Sequence, residues 1–423
     1  MGKKMAAIVL IYVALAVAWF VLAGSIQVRT RAADGSLKGK VAALWGDTQE
    51  QLSPQLLFTW PETVTRTEQV EEQGAKRNVT SESIVWRERP VILDGSEVAV
   101  DLDLEHRRKG LLWYATYLVG FRGDYRYVHD EPTEGVLVIT YRFPTVRATY
   151  DDFRFEIAGR VDPNVVPIES GRSKIVEQRI PVKSGAEVPF RVSYRSRGLD
   201  SWRYSFGSDV NRVKDFSLTM TTDFEDVDFP EGTISPSESG PSGPGRRMRW
   251  HSENLISGFA IGMEMPHRLN PGPLAARISF FAPVCLGFFF VWIFVITLMK
   301  GIDLHPMNYL FLGAAFFAFH LLFAYTVDHV DVGIAFALAS AVSVALVASY
   351  LRLAVGARFA AVEAGISQFV YLVLFSLAHF FEGLTGLIVT IGCILTLFAL
   401  MQLTGRLKWA EVLRKPAAAA VNA

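Results

Sequence analysis

The run Phe288-Phe289-Phe290-Val291-Trp292-Ile293-Phe294-Val295 lies inside a stretch from Ile278 to Met299 that contains no charged residue. A strand of a membrane barrel would alternate apolar and polar side chains, and this run does not, so it reads as a helix in hydrocarbon. Four more apolar runs come after it: Met307 to Val327, Gly333 to Leu351, Phe359 to Ala378 and Leu384 to Leu403. Each holds about 20 residues, roughly 30 Å at the helical rise, which is the thickness of a bilayer core. No water-soluble fold needs five such runs in one block, so residues 278–404 predict a bundle of five transmembrane helices.

Basic residues in short loops mark the cytoplasmic side. Lys300 comes directly after the first run, Arg352 and Arg358 flank the link between the third and fourth, and Arg406, Lys408, Arg414 and Lys415 lie beyond the last. The other links, Asp328-His329-Val330-Asp331 and His379-Phe380-Phe381-Glu382-Gly383, carry no Lys or Arg. This alternation predicts a cytoplasmic tail over residues 405–423.

At the other end of the chain, Lys3 and Lys4 precede an apolar run from Met5 to about Ala23. Two readings compete: a signal cleaved after Val21-Leu22-Ala23, or a retained anchor. A run of about 18 residues exceeds the 7 to 15 of a cleaved signal, which favours the anchor. Residues 1–24 are therefore expected to be a sixth transmembrane helix, an uncleaved signal anchor with its N-terminus in the cytoplasm. On either reading the chain after Gly24 is exported. Arg29, Arg31, Lys38 and Lys40 run against that orientation, although long exported domains tolerate such charge.

Between residues 25 and 277 the composition turns charged, aromatic and β-branched. Val98, Val100, Leu102 and Leu104 alternate with Asp101 and Asp103; Phe153, Phe155 and Ile157 alternate with Arg154 and Glu156; Phe216, Leu218 and Met220 alternate with Ser217, Thr219 and Thr221. Period-2 patterning repeated in short segments predicts an extracytoplasmic all-β, sandwich-like domain. Residues before about Val91 are less regular, and Glu68 to Arg77 is polar enough for a helix or loop. The Ser-, Pro- and Gly-rich stretch 235–245 is expected to be a flexible loop that holds no ladder.

Composition excludes several classes of function. The chain of 423 residues has a formal net charge of zero, which argues against nucleic-acid binding. Its two cysteines, Cys285 and Cys393, both fall inside predicted spans, so no disulfide framework and no Cys-x-x-Cys site exists in the exported part. There is no nucleophile elbow, Walker loop or His-Glu-x-x-His. No cofactor, metal or enzymatic activity is expected, and the bilayer is the one partner that the sequence fixes.

Ionisable residues within membrane spans are costly and raise a functional question. Asp328, His329 and Asp331 cluster at the predicted outer end of one span, with His379 and Glu382 on the next outer link; they are candidate metal ligands or proton carriers, or else an ordinary interfacial turn. His320 lies deeper, sharing a helical stripe with Tyr309, Gly313, Phe316 and Ala324, and an interhelical hydrogen bond would account for it. Glu363, Ser367, Gln368 and Tyr371 form a polar stripe, with Arg358 as the expected ion partner of Glu363. Ala337, Ala341, Ala345 and Ser349 recur every four residues and predict close packing within the bundle, with a dimer face as the alternative. Asp303 is the expected cap of the span that Pro306 opens.

Read in order, several of these residues also form a pattern. His305-Pro306-x-x-Tyr309-Leu310, Asp328-His329, Tyr350-Leu351, Tyr371 and Met401-x-Leu403-Thr404-x-Arg406-x-x-Trp409 resemble the CreD family of bacterial inner-membrane proteins. Arg107 to Tyr117 and Gly258-Phe259-Ala260 agree more loosely. There are departures: Asp328-His329 stands where many members carry Glu-His, and Phe375-Ser376-Leu377-Ala378-His379 stands in place of a Gln-Ser-Glu-Asp-Tyr stretch, so two acids are absent. The resemblance implies an inner-membrane protein linked to cell-envelope integrity and envelope stress, with no established catalytic reaction. An envelope protein or the cell wall is the implied partner of the exported domain. The alternative is a transporter or intramembrane enzyme built on the outer-face Asp/His cluster.

Overall fold

The computed structural model describes residues 2–72, 75–110, 112–163, 165–171, 173–207, 211–381 and 383–405. It divides into a helical unit, Met1–Gly35 with Leu269–Ala423, and a β unit, Ser36–Arg268. The expected divisions near residues 24 and 277 therefore move to 35 and 268. The reason is that both flanking helices outrun their apolar cores.

Among the described residues six helices are long and apolar enough to cross a membrane: α1 Gly2–Trp45, α2 Pro271–Met299, α3 Pro306–Thr326, α4 Val332–Ala354, α5 Phe359–Phe380 and α6 Thr385–Thr404. Prolines open α2 and α3 in the first turn, where a missing N–H leaves no bond unmade. The helical core gathers Phe289, Phe316, Phe319 and Phe323 with Trp19 of α1. Helix α6 is the outlier, since Thr396 is its one buried residue.

Between Lys4 and Arg29, α1 runs alongside α3 at a nearly constant offset. Lys4 pairs with Asp303, and Arg29 pairs with Asp328 at 2.9 Å. Between these ends, Trp19 packs edge-on against Phe317 and His320, and Leu15 lies over Gly313, where a Cβ would sit 2.2 Å from Leu15 Cδ1. Both partners of the two ion pairs are 25 residues apart, a rise of about 37 Å, so the pairs bracket one membrane thickness.

The β unit contains β1 Gln49–Leu52, β2 Gln55–Glu72, β3 Ala75–Val91, β4 Gly95–Lys109, β5 Leu112–Val128, β6 Gly135–Arg142, β7 Tyr150–Ile157, β8 Arg160–Val161, β9 Ile168–Ser170, β10 Ser173–Val182, β11 Glu187–Leu199, β12 Ser201–Ser205, β13 Asn211–Thr222, β14 Glu238–Ser242, β15 Gly245–Ser257 and β16 Ile261–Glu264. They form an eight-stranded sheet β14-β15-β13-β4-β5-β11-β7-β8, a five-stranded sheet β3-β2-β6-β10-β9 and a small sheet β1-β12-β16. One apolar cluster unites the inward rows of all three, from Val98, Val100 and Leu102 to Leu137, Ile139 and Tyr141 and to Trp202 and Met263. The all-β reading holds.

Two local expectations are corrected. The stretch before Val91 is not irregular: β2 and β3 pair continuously from Leu56↔Val91 to Glu72↔Ala75. Only Gln55–Thr59 of β2 also pairs with β6, so the remainder is a two-stranded ribbon, and its residues 61–66 and 80–90 are largely exposed. Without a buried face there, no regular alternation is imposed on the sequence. Residues 235–245 are likewise not simply a loop, because β14 pairs with β15 from Glu238↔Arg249 to Ser242↔Gly245. As an edge strand, β14 can hold Pro241 without losing a ladder bond on its open side.

The small sheet is tied in by a buried amide. Gln51 on β1 is fully buried, and its Oε1 accepts from Tyr141 Oη at 2.6 Å and from Tyr194 Oη at 3.0 Å. Its Nε2 donates to the carbonyls of Leu52 and Arg142 at 2.8 and 3.2 Å. Tyr141 belongs to the five-stranded sheet and Tyr194 to the eight-stranded one, so one side chain joins three sheets with every polar site used. Burial pushes both phenols well above their usual range, which keeps them protonated donors. Gln51→Leu should leave two buried hydroxyls without an acceptor and destabilise the β unit by about 2 to 4 kcal/mol in urea unfolding, whereas Glu50→Leu, on an exposed neighbour, should change little.

Candidate polar sites in the helix bundle

Among the described residues, the acidic and basic side chains that pair in the helical unit fall at its two ends. At one end Lys4 pairs with Asp303, and Lys300 pairs with Glu363. The hydrogen bond from Lys4 holds the Asp303 carboxyl below its usual range. At the other end the Arg29 guanidinium reaches both Asp328 and the Ala324 carbonyl, the latter at 3.4 Å.

The outer-face cluster does not converge. Asp328 is buried and turned to Arg29, His329 is exposed, and Asp331 caps α4 by accepting from the Gly333 and Ile334 N–H groups at 2.8 and 3.4 Å. His379 packs against Phe281 with ring centroids 5.3 Å apart, and its Nδ1 has no partner. Among the described residues no group of three His, Cys, Asp or Glu could hold a metal ion. Glu382, Arg406 and Trp409 lie outside the described residues.

Three other expectations shift in detail. Glu363 takes Lys300 as its ion partner rather than Arg358, because α2 ends beside it. The cap of α3 is His305, whose Nδ1 accepts from the Met307 N–H at 3.2 Å, while Asp303 is drawn away to Lys4. The small-residue stripe Ala337, Ala341, Ala345 and Ser349 is exposed; α4 packs inward through Ala335, Ala339, Ser343, Val347 and Leu351 instead. A four-residue repeat drifts around a helix of 3.6 residues per turn, so periodicity alone did not say which face was inside.

Inside the bundle, the stripe of His320 with Tyr309, Phe316 and Ala324 is buried as expected. His320 is 1% exposed, and its Nδ1 lies 3.1 Å from the Phe316 carbonyl, so the bond stays within α3 rather than crossing to another helix. Its Nε2 has no partner, and neither does the buried indole Nε1 of Trp19, whose ring centroid is 5.6 Å away. On α5, Gln368 Nε2 donates to Ser343 Oγ at 2.8 Å, and Ser343 passes the chain to the Ala315 carbonyl at 2.7 Å, linking α5, α4 and α3. Two wide π-type turns, Phe359–Ala364 and Phe369–Leu374, flank the segment Gly365–Gln368 that carries this amide. Tyr371 is buried among Phe288, Trp292 and Phe375. Thr404 bonds back to the Leu400 carbonyl at 2.7 Å.

Arg29, Ser343 and Trp19 carry the geometry without having stood out in sequence. The signal that points to Arg29 is the equal spacing of Lys4 and Arg29 with Asp303 and Asp328.

Six apolar helices with their charges paired at both ends, joined in one chain to an all-β unit, define a multi-span membrane protein. Residues 245–410 match the family described as inner membrane protein CreD, a match that takes in β15, β16 and all of α2 to α6. Over that part the chain is similar to the inner membrane protein CreD family, as its motifs suggested, and it carries the membrane-length helices such a protein needs. No curated protein matches it. Among solved structures it is similar to a candidate nutrient-binding protein of Legionella pneumophila, at 10% identity and a TM-score of 0.29, covering 47% of this chain and 74% of that one. It is also similar to an M1 zinc metallopeptidase of Deinococcus radiodurans, at 9% identity and a TM-score of 0.24, covering 76% and 92%. Both scores are too low to bear on fold or activity.

Close approach of α1 and α3 depends on Gly313. Gly313→Leu should lower the stability of the detergent-solubilised protein by about 1 to 3 kcal/mol in thermal melts, and adding Leu15→Ala should recover much of that loss.

Proposed function

We propose that this protein is a non-catalytic component of envelope maintenance or the envelope-stress response, anchored in the inner membrane by six helices and acting through its β unit. In this reading α1 is retained, both termini are cytoplasmic, and the β unit, Ser36–Arg268, lies outside the membrane, where an envelope protein or the cell wall is its partner. One observation carries the preference for an anchor over a catalyst. The charged side chains expected to do chemistry are engaged in structural ties: Asp328 with Arg29, Glu363 with Lys300, and Asp331 with the start of α4. A carboxylate held by a fixed cation is a poor proton carrier.

The second reading, a transporter or intramembrane enzyme, draws on the unpartnered His320 Nε2, Glu363 Oε2 and Gln368 Oε1. The two readings separate in a deletion strain scored for envelope permeability. Complementation with Asp328→Asn, His329→Ala, His320→Ala or Glu363→Gln, each at wild-type membrane level, should restore the barrier. A single well-expressed variant that fails would put an ion- or proton-dependent activity in place of the anchor.

A further inference from the structure

The hairpin of β4 and β5 changes sign along its length. Asp101, Asp103 and Glu105 come first along β4, and Arg107, Arg108 and Lys109 end it. Arg107 is engaged by Glu105, to which its Nε donates at 3.1 Å. Among the described residues Arg108 and Lys109 have no ion pair; Arg108 is exposed and donates its Nε to the Gly110 carbonyl at 3.1 Å, which leaves its two terminal nitrogens for another acceptor. Arg108 lies directly opposite Trp113 in the β4–β5 register, and the exposed Arg268 stacks over the Trp113 ring, its Cζ 4.7 Å from the centroid. A second tie, between His106 Nε2 and the Pro266 carbonyl at 2.8 Å, holds the same end of the hairpin to the segment that leads to Arg268. Two guanidinium groups without a carboxylate partner are thus gathered at one indole. A guanidinium stacked on an indole keeps its fork of donors open at the edge, the geometry that takes a phosphate.

The chain itself limits how far this end can lie from a bilayer. Arg268 is the last residue of the β unit, and three residues on comes Pro271, where α2 opens. Three extended residues span at most about 11 Å, and the helical rise from Pro271 to Ile278, where the charge-free run begins, is about 10 Å. Arg268 therefore stays within about 20 Å of the hydrocarbon edge, and headgroups occupy the first several of those. Indole rings are enriched at that depth because one edge suits the apolar layer and the other the wet one. A soluble polyanion would have to compete with phosphates tethered permanently within this reach.

We propose that the end of the β4–β5 hairpin, through Arg108, Trp113 and Arg268, docks on the phosphates of anionic phospholipids in the bilayer that α2 spans. The two arginines donate to phosphate oxygens, and the acidic start of β4 is repelled by the same surface, which orients the hairpin end first. The contact requires only that α2 crosses the bilayer, so it stands apart from the envelope role proposed above.

The test uses the full chain in nanodiscs of palmitoyl-oleoyl phosphatidylcholine, alone or mixed with the matching phosphatidylglycerol, and follows backbone hydrogen exchange by mass spectrometry. Two membrane-proximal arginines at about fivefold each set an expected slowing of about 25-fold over residues 106–114 in the anionic discs. Residues 81–90 of the exposed ribbon should exchange alike in both. Arg108→Gln and Arg268→Gln should each remove about fivefold of that protection, by the same worth per cation, whereas Arg249→Gln, an exposed arginine on β15, should leave it unchanged. Arg108→Gln leaves the Arg268 stack on Trp113 in place, so it reads the charge even where Arg268→Gln loosens the hairpin. Equal exchange of residues 106–114 by wild type in the two discs would overturn the proposal, as would protection that survives both Gln substitutions. Inorganic phosphate that reproduces the protection in phosphatidylcholine discs would overturn it too, since the ligand would then be a soluble anion.

Discussion

The in-register pairing of α1 with α3 is the contact on which the helical unit depends. Helices in a bilayer gain no hydrophobic drive from meeting one another, so close approach, polar ties and shape decide which of them associate. Here all three act along one seam. Gly313 admits Leu15, the Trp19 indole stands against His320 and Phe317, and an ion pair closes each end. A helix that served only to start export would need none of these. The seam also accounts for Arg29 and Asp328: each alone would be a costly charge at the membrane boundary, and together they satisfy one another.

A comparable constraint operates in the β unit. Three sheets with apolar inner faces could slide over one another, because burial is non-directional. Gln51 removes that freedom by accepting from one tyrosine of each large sheet while its amide nitrogen holds two backbone carbonyls. At the start of the unit, Gly46 ends α1 with a positive φ of 96°, and a Cβ there would lie 2.1 Å from the Arg197 carbonyl oxygen. Only glycine makes that approach. Trp45, just before it, lies under the Arg107 and Arg197 guanidinium groups.

The spans were legible because about 20 uncharged apolar residues have one stable solution in a membrane, and the observed helices begin and end within a few residues of the apolar runs except where α1 and α2 extend beyond them. The strands were legible wherever one face is buried, as in Val98, Val100 and Leu102. Where that rule is suspended, reading failed: the β2–β3 ribbon is largely exposed over residues 61–66 and 80–90, and β14 tolerates proline because it is an edge. The polar site was less legible still. Asp328, His329 and Asp331 are adjacent in sequence, but a helix end points successive side chains in different directions, so one meets α1, one meets solvent and one caps α4. Conversely, the partners that do meet, Arg29 with Asp328 and Gln368 with Ser343, lie on different helices, and no local pattern announces them.

In the proposed reading helix α1 is retained as a sixth wall of the bundle and the β unit engages the envelope. That claim has a direct measurement: the intact mass of the protein extracted from membranes. A chain near 47.0 kDa that still carries Lys3 and Lys4 is the expected result. A mature chain that begins at Gly24 would contradict it, because Lys4, Tyr12, Leu15 and Trp19 would be gone from the bundle, and with them the seam between α1 and α3.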